Sequence, residues 1–437
     1  MALRQNQREY RCQAAPRYHR DVLQMKILNV VLATESQGTR KLTINFSRIL
    51  RLAKKKSYAN MKSLPRICFV APHAWPVLSG NRDLKFAGGA EVQQCHLARG
   101  LAARGFQVSM LCLDYGQPEL AEIDGIRVHR MFKPHSGLPV LRFLHPRLTA
   151  LWRGMHKADA DIYYQRGADM LTGVVAAFCR RRGKKSIFAG AHDTDFSPGK
   201  QLISYNRDKW LFEYGLARAS AIVAQHQAQK QLCWENYRRD SSLIRSCYPI
   251  PVALADPSGG LLWISTIRKF KGPERFIELA KSLPEYSFTM IGGPGGSDAA
   301  SLRYYESIRS QAEAVPNLKF LGFVHPADIE RYFDGARVFV NTSDSEGFPN
   351  TFLQAWARAM PTVSLFDPGS VEDGQPVCKT AQDIHGLVDV VRALNSDDDL
   401  WRDAGERCRK FYLRQHALDS VLDAYERLFQ NLLREIQ

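Results

Sequence analysis

Short apolar runs alternate with longer amphipathic segments from about residue 61 to the end of the chain. The first run, Arg66 to Ala71, is apolar throughout, which predicts a strand that is buried on both faces. The segment from Ala90 to Arg104 has apolar residues at helical spacing, and Gly105 is placed to end this helix in a left-handed conformation. Strands separated by helices favour parallel sheets with right-handed crossovers.

The alternation continues as two series of predicted strands, separated by a segment rich in proline and glycine at residues 247–260. The first series adds Gln107 to Leu113, Ile126 to Met131, Asp161 to Gln165, Ser186 to Gly190 and Ala221 to Ala224. The second series comprises Leu261 to Ser265, Ser287 to Ile291, Leu318 to Phe323, Arg337 to Asn341 and Thr362 to Phe366. These series predict two doubly wound α/β domains, at residues 61–250 and 251–416, whose strands present their carboxyl ends to a shared cleft. A last amphipathic helix is predicted within residues 417–437.

Residues 1–60 lack this alternation and carry 13 lysines and arginines against three acids. Apolar residues from Leu42 to Ala53 fall at helical spacing and are followed by three lysines, a pattern typical of a basic helix on an anionic membrane surface. A disordered extension is the alternative, as is translation that starts at Met61. The short apolar stretch from Ile27 to Ala33 does not make a convincing signal peptide.

Composition narrows the class of protein. The length of 437 residues predicts two or three domains, and the 45% of hydrophobic residues predicts that most of the chain folds. Much of the net charge of +16 belongs to residues 1–60, so the rest is only mildly basic, which suits an enzyme for phosphorylated substrates better than a surface that wraps DNA. No run of about 18 apolar residues predicts a transmembrane helix. Nine scattered cysteines without a close pair predict buried thiols in a cytosolic protein.

Glycines and basic residues mark candidate phosphate sites. Gly88 and Gly89 stand where a helix is predicted to begin, and the backbone N–H groups and dipole of a helix amino terminus favour a diphosphate. A purely structural turn is the alternative there. Arg268 and Lys271 follow the first strand of the second series, where cations face the cleft and can neutralise a leaving diphosphate. The turn from Ile291 to Gly296 is a weaker candidate, because it lacks the G-x-G-x-x-G pattern.

The segment from Val338 to Ser364 carries the most specific pattern. A predicted buried strand leads to Glu346, and Pro349 suits the first turn of the helix that follows. Glu346 and the backbone amides near Phe348 are therefore predicted to project into the cleft. Another acidic segment, Asp193-Thr194-Asp195, resembles a metal-binding D-x-D motif, but its place in a loop after a strand favours a cap or a solvated loop.

Residues 346–354 (EGFPNTFLQ) resemble the E-G-F-x-x-x-x-L-E signature of the retaining glycosyltransferases of family 4, which have the GT-B fold of two facing Rossmann-like domains. Residues 261–283 are similar to the strand, basic loop and helix of that family, and residues 316–324 to its next strand. In the first half, Gly88-Gly89-Ala90-Glu91 resembles the glycine loop of the family, and His192-Asp193 resembles its cleft histidine.

The resemblance implies a role for each matched position. Glu346 would hold sugar hydroxyls of the donor, Lys271 would contact its diphosphate, and His192 would lie near the sugar and the attacking acceptor. The other donor contacts that it implies are Gly88, Gly89, Arg268, Phe348, Pro349, Asn350 and Gln354. Two positions depart from the family pattern. Thr266 stands where many members have a diphosphate arginine, for which Arg268 is an approximate substitute, and Gln354 replaces the glutamate that binds the ribose diol.

The family moves a sugar from a nucleoside-diphosphate donor to an acceptor hydroxyl and retains the anomeric configuration. The resemblance therefore implies a metal-independent hexosyltransferase of polysaccharide or glycolipid assembly, with a nucleotide-sugar and a saccharide or lipid-linked acceptor as partners. It implies no separate cofactor. The basic segment at residues 1–60 lacks the interleaved aromatic residues of nucleic-acid-binding modules, so no nucleic acid is expected as a partner, and the same segment with the cysteine pattern predicts a place in the cytoplasm or on the inner face of the membrane. A nucleotide-sugar 2-epimerase of the same fold and a non-catalytic nucleotide-sugar-binding protein are the alternatives.

Overall fold

The structure is a computed structural model, and it describes residues 64–84, 88–134, 136–137, 143–344, 346 and 348–434. The basic extension at residues 1–60 and the membrane-surface helix predicted within it lie outside the described residues. Among the described residues, no helix combines the length and the apolar character needed to cross a bilayer.

The first half of the described chain is built on an eight-stranded sheet in the order β3-β4-β2-β1-β5-β6-β7-β8. Neighbouring strands are parallel, except that β3 runs antiparallel to β4. The strands are β1 (Arg66–Val70), β2 (Gln107–Cys112), β3 (Leu120–Ile123), β4 (Ile126–Arg130), β5 (Ile162–Arg166), β6 (Lys185–Ala189), β7 (Ala221–Ala224) and β8 (Ser242–Leu243). Six of these lie within one or two residues of a predicted strand, and β3 and β8 were not predicted.

Helices follow most of these strands and return the chain to the end of the sheet where the next parallel strand begins. They are α1 (Trp75–Ser79), α2 (Gly89–Ala103), α3 (Thr149–Ala158), α4 (Met170–Arg182), α5 (Asn206–Arg218) and α6 (Gln227–Tyr237). Helix α2 begins one residue before the predicted start, and Gly105 adopts the predicted left-handed conformation with φ 90°. Its buried face includes Gln93 and Gln94 beside Leu97 and Leu101, so polar residues contribute to a face that was predicted from apolar ones.

The second half contains a parallel sheet of six strands in the order β11-β10-β9-β12-β13-β16, and a separate antiparallel pair, β14 with β15. The strands are β9 (Gly260–Ile264), β10 (Phe288–Ile291), β11 (Leu318–Phe320), β12 (Ala336–Asn341), β13 (Thr362–Ser364), β14 (Val371–Glu372), β15 (Gln375–Pro376) and β16 (Lys379–Thr380). The helices are α7 (Pro273–Ser282), α8 (Ala299–Glu313), α9 (Pro326–Asp334), α10 (Asn350–Trp356), α11 (Ile384–Ser396), α12 (Asp398–Gln415) and α13 (Leu418–Arg434). Two Rossmann-like halves of this kind confirm the predicted GT-B architecture.

Helix α13 crosses back from the second half and packs against α2 of the first. Gly100 of α2 leaves room for Leu422, because a Cβ at that glycine would lie 2.6 Å from Leu422 Cδ1. At the end of α2, the half-buried guanidinium of Arg104 pairs with Asp423 at 2.7 Å and with Glu426 at 2.6 Å. The last helix therefore fastens the two halves together by packing and by charge.

The cores agree with the prediction of continuous buried strands. β12 is buried along its whole length, and β1 is buried from its second residue. The eight described cysteines are all free and buried, as predicted, and each contributes to apolar packing.

Candidate active site

The carboxyl ends of the strands of both sheets meet where the glycine loop approaches α10. Asn350, the first residue of α10, donates from Nδ2 to the carbonyl oxygen of Gly89 at 3.1 Å and accepts at Oδ1 from Gln93 Nε2 at 3.0 Å. Gln93 also contacts the proline- and glycine-rich segment that begins at residue 247, because its side-chain amide forms two hydrogen bonds of 2.8 Å with the backbone of Cys247. Gly88 caps α2 in an extended conformation. The contacts of Gly89 and Gln93 with Asn350 hold the amino end of α2 against the second half. The structure thus brings Gly89 and Asn350 into contact, with Gly88 next to Gly89 at the amino end of α2.

Lys271 and Glu346 form an ion pair in this region. Lys271 ends a short helical turn after β9, Glu346 follows β12, and these two strands are neighbours in the sheet. Lys271 Nζ donates to Glu346 Oε1, and the same oxygen accepts from Ser343 Oγ at 2.8 Å. The two charged side chains are only 15% and 14% exposed, so water screens their attraction less than on an open surface. Glu346 Oε2 accepts from none of the described residues.

Thr342 fixes the turn that carries Lys271. Its hydroxyl lies 3.0 Å from the carbonyl oxygen of Lys271 and 2.7 Å from that of Gly272, and it accepts from the indole of Trp263 at 3.0 Å. Gly272 has φ 59°, and a Cβ there would lie 2.4 Å from the carbonyl oxygen of Thr342. Only glycine fits this position without a shift of the backbone.

The side chain of Arg268 packs against the glycine-rich turn from Ile291 to Gly296, the weaker phosphate candidate. Its Nε and Nη2 donate to the carbonyl oxygen of Gly295 at 3.1 and 2.8 Å, and its side chain is exposed. Gly292 on this turn approaches Ser265 so closely that a Cβ would lie 2.0 Å from the Ser265 carbonyl oxygen. The basic loop and the glycine-rich turn therefore contact each other directly, although they are separate candidates in the sequence.

The loop from Glu346 to α10 uses its side chains mainly for packing. Phe348 stacks on His416 with ring centroids 4.9 Å apart and an interplanar angle of 15°. Pro349 is the amino-terminal cap of α10, one residue earlier than the helical position predicted for it. Because the Phe348 ring is turned inward and Asn350 faces Gly89, the contacts that this loop can offer a ligand come chiefly from its backbone and from Glu346.

Gln354 lies beside a carboxylate that the sequence analysis did not single out. Its Nε2 donates to Glu330 Oε1 at 3.2 Å. The other oxygen of Glu330 accepts from Arg358 Nη2 at 2.5 Å and from the hydroxyl of Tyr248. Arg358 is 2% exposed, so this carboxylate is anchored to a buried guanidinium. Glu330 is far from Gln354 in sequence, and only the packing of α9 on α10 joins them.

His192 follows β6 in the first half, at the carboxyl edge of the sheet. The loop is held by Asp195, whose Oδ2 accepts from the backbone N–H groups of Ala191 at 2.7 Å and of His192 at 3.1 Å. Burial raises the pKa of Asp195. Asp195 therefore orders the loop that presents His192, which agrees with the interpretation of this segment as a cap.

Comparison with known proteins finds family models that match both halves of the chain. A family model described as Glycosyltransferase Family 4 matches residues 87–249, and one described as Glycosyl transferases group 1 matches residues 259–397. The alpha-monoglucosyldiacylglycerol synthase of Acholeplasma laidlawii is 32% identical over 105 residues, which are 23% of this chain and 25% of that protein. The chain thus matches about a quarter of the length of this relative.

Solved structures share the fold at low sequence identity. Sucrose-phosphate synthase from Thermosynechococcus elongatus superposes with a TM-score of 0.68 at 16% identity, over 85% of this chain and 100% of that one. HepE of Anabaena, solved in complex with UDP and glucose, superposes with a TM-score of 0.62 at 15% identity, over 84% of this chain and 100% of that one. The fold and the two domain matches together support a nucleotide-sugar glycosyltransferase similar to family 4.

Proposed function

We propose that this protein is a retaining, metal-independent glycosyltransferase that moves a hexose from a nucleoside diphosphate to an acceptor hydroxyl in polysaccharide or glycolipid assembly. The second half binds the donor, and the first half binds the acceptor. The observation that carries this proposal is the shielded pair of Lys271 and Glu346 at the carboxyl ends of two adjacent strands, opposite the amino end of α2 at Gly89.

Charge development in the reaction matches these groups. When the bond between the sugar and the diphosphate breaks, negative charge grows on the diphosphate and positive charge on the sugar ring. Lys271, Arg268 and the N–H groups at the start of α2 supply positive charge for the leaving diphosphate. Glu346 keeps one carboxylate oxygen for sugar hydroxyls, and its bond to Lys271 couples the sugar contact to the diphosphate contact.

The stereochemistry follows from attack on the face that the leaving group departs from. The acceptor oxygen forms its bond to the anomeric carbon while the bond from that carbon to the phosphate oxygen breaks. The electron pair of the broken bond stays on the phosphate, and the proton of the acceptor hydroxyl passes to a phosphate oxygen. His192 then lies near the sugar and the acceptor and orients them, and Gln354 with Glu330 lies near the ribose.

UDP-glucose is the first donor to test, because HepE, which shares the fold, was solved with UDP and with UDP-glucose. The full chain is screened by thermal shift with UDP-, GDP-, ADP- and dTDP-sugars, and the best donor is then incubated with saccharide and lipid-linked acceptors while the anomeric proton is followed by NMR. We expect one donor to raise the melting temperature and its sugar to appear on an acceptor with the same anomeric configuration. Inverted product contradicts retention, and interconversion of the free nucleotide-sugar without an acceptor indicates an epimerase.

The basic residues of the first 60 positions support a cytoplasmic protein that binds the inner face of the membrane, as an excess of lysine and arginine attracts anionic lipids. Sedimentation with vesicles of phosphatidylglycerol, compared with vesicles of phosphatidylcholine, tests this part of the proposal. We expect binding to the anionic vesicles only, with loss of binding when residues 1–60 are removed. Equal sedimentation with both vesicles contradicts it.

A further inference from the structure

The two aspartates of the D-x-D segment have different surroundings. Asp195 is 5% exposed and holds backbone N–H groups, as described above. The side chain of Asp193 is 47% exposed, and its Oδ1 accepts from His226 Nε2 at 2.9 Å and from Gln229 Nε2 at 3.0 Å. Asp193 therefore pairs with a histidine from the neighbouring loop, which the spacing of the segment alone does not reveal.

Buried amides hold this pair in place. Gln229 is fully buried, and its Oε1 accepts from the backbone N–H of Gln225 at 2.9 Å. Gln225 is 5% exposed and donates from Nε2 to the carbonyl oxygens of Gly190 and Ala191 at 2.9 and 3.0 Å. Two buried glutamines thus tie the loop after β6 to the loop after β7, which fixes the position of Asp193 and His226 more firmly than their own hydrogen bond could.

The pair lies on the cleft side of the sheet. Asp193 follows β6 and His226 follows β7, so both stand at the carboxyl ends of adjacent strands, on the same edge as Gly88 and Gly89. β6 is separated from β1 by β5, which corresponds to about 10 Å at the usual strand spacing. The pair therefore lies on the edge of the sheet that faces the cleft, where an acceptor could contact it.

Each member of the pair keeps one free hydrogen-bonding position. Among the described residues, none contacts Asp193 Oδ2, and none contacts the Nδ1 atom of His226. The bond from His226 lowers the pKa of Asp193, so the carboxylate is ionised near neutral pH. The second ring nitrogen of His226 can accept or donate a hydrogen bond, according to the tautomer and charge of the ring. The pair thus offers one carboxylate oxygen and one ring nitrogen to the hydroxyls of a ligand.

We propose that Asp193 and His226 bind two hydroxyls of a saccharide acceptor. Two open hydrogen-bonding positions on one pair suit a ligand with several hydroxyls, whereas a lipid alcohol has one hydroxyl and would leave one position unpaired. The proposal rests on the function proposed above. The pair takes no part in making or breaking bonds, since the proton of the attacking hydroxyl leaves with the diphosphate. Its work is to orient the acceptor and to select polyhydroxylated acceptors.

The test measures acceptor binding directly, so that no transfer assay is needed. The full chain is studied by saturation-transfer NMR with the methyl α-glycosides of glucose, galactose and mannose, with and without the nucleoside diphosphate that raises its melting temperature most. The variants are Asp193→Asn, His226→Ala and His226→Gln. Matched controls are Asp240→Asn and His156→Gln, which alter an exposed aspartate and an exposed histidine elsewhere in the same half.

We expect at least one glycoside to bind the wild type and both controls. Asp193→Asn should weaken it about tenfold or more, the effect of one hydrogen bond to a charged group, and His226→Ala should weaken it about threefold to tenfold. His226→Gln should keep part of the affinity, because its amide can donate to Asp193 and still accept from a hydroxyl. The affinity for the nucleotide and the melting temperature should change little, which separates acceptor binding from a structural role.

Three results would overturn the proposal: no glycoside binds the wild type, the variants bind it as the wild type does, or n-octanol displaces it as well as another saccharide does. A nucleotide that binds while every glycoside fails would refute the acceptor pair and leave the transferase proposal standing. Glycoside binding without any nucleotide binding would support the saccharide site and contradict the transferase proposal.

Discussion

The two halves of this molecule line one cleft with different chemistry. The second half offers a shielded ion pair, Lys271 with Glu346, and a further cation at Arg268. The first half offers a hydrogen-bonding framework, in which buried Gln225 and Gln229 hold an aspartate and a histidine. Charges suit a donor whose diphosphate gains negative charge during the reaction, and a pair of side chains held by buried amides suits a polyhydroxylated acceptor that does not change charge. We propose that the two Rossmann-like halves divide donor and acceptor binding between these two types of polar site.

The largest effect is expected on the ion pair of the second half. Glu346→Ala should reduce transfer by about a hundredfold or more, since a preorganised polar contact contributes on that scale. Steady-state transfer rates measure this, and circular dichroism checks that the variant folds. Asp344→Ala is the control, because Asp344 lies on the same loop in an exposed pair with Arg275 at 2.6 Å. A control as inactive as the variant would mean that any disturbance of the loop abolishes transfer.

The turn that carries Lys271 is expected to tolerate no side chain at Gly272. Gly272→Ala places a Cβ 2.4 Å from the carbonyl oxygen of Thr342 at φ 59°, whereas Gly183 has φ 63° with no atom within 4 Å of a Cβ. Gly183→Ala should cost about 1–2 kcal/mol of unfolding free energy for its backbone conformation alone. Gly272→Ala should cost about 1–3 kcal/mol more, for the steric conflict. Urea unfolding of both variants compares them, and equal losses would show that the turn relaxes freely.

The contact region between the halves is expected to weaken in acid. Burial lowers the pKa of His416, which stacks on Phe348, to about 3, and that of His96, on α2, to about 4, with Arg99 as a smaller cause for His96. Both stay neutral in the folded protein while the unfolded chain binds protons below about pH 6.5, so stability falls as the pH drops from there toward 4.

The loss should be up to about 1.4 kcal/mol per pH unit for each histidine. Unfolding by urea at pH 7.5, 6.5 and 5.5 measures it. His416→Gln should reduce the slope of stability against pH, even if the variant is less stable at every pH. An unchanged slope would indicate that His416 is protonated in the folded protein.

The smallest effect concerns Gln354, where family pattern and structure disagree. The pattern places a glutamate there, which predicts that Gln354→Glu strengthens donor binding. The structure places Gln354 Nε2 3.2 Å from Glu330 Oε1, so a second carboxylate would replace a hydrogen-bond donor with a like charge. We expect Gln354→Glu to lower the free energy of unfolding by only about 0.5–1 kcal/mol, because partial exposure of Glu330 screens the repulsion. Since the new carboxylate is repelled by Glu330, we expect the donor affinity to be no better.

Gln354→Glu should cost less in a Glu330→Gln background than in the wild type, because the like charge is then absent, although Glu330→Gln by itself loses the ion pair with Arg358. A double-mutant cycle on melting temperature and on donor affinity measures the coupling. Stronger donor binding in the single Gln354→Glu variant would favour the family pattern over this geometry.

The sequence predicts the fold and the position of the loop at Glu346 because each depends on residues that are close together in the chain. Continuous apolar strands such as β12 and the run from Glu346 to Gln354 lie within single segments of sequence. The edge strand β3, with an alternating exposed pattern, and the two-residue β8 carry too weak a signal.

The framework of the first half escaped prediction for another reason. Gln93, Gln225 and Gln229 act through partners up to 154 residues away, and glutamine normally indicates a solvent-exposed face. The inward turn of Phe348 onto His416 likewise depends on a partner that only the folded chain supplies.

The most direct test of the division between the halves is calorimetric titration of UDP, GDP, ADP and dTDP into the wild type, Lys271→Ala and His226→Ala. We predict that one nucleotide binds the wild type, that Lys271→Ala weakens it about tenfold or more, and that His226→Ala leaves it within about twofold. No binding by any nucleotide, or equal binding by the wild type and Lys271→Ala, would contradict the account.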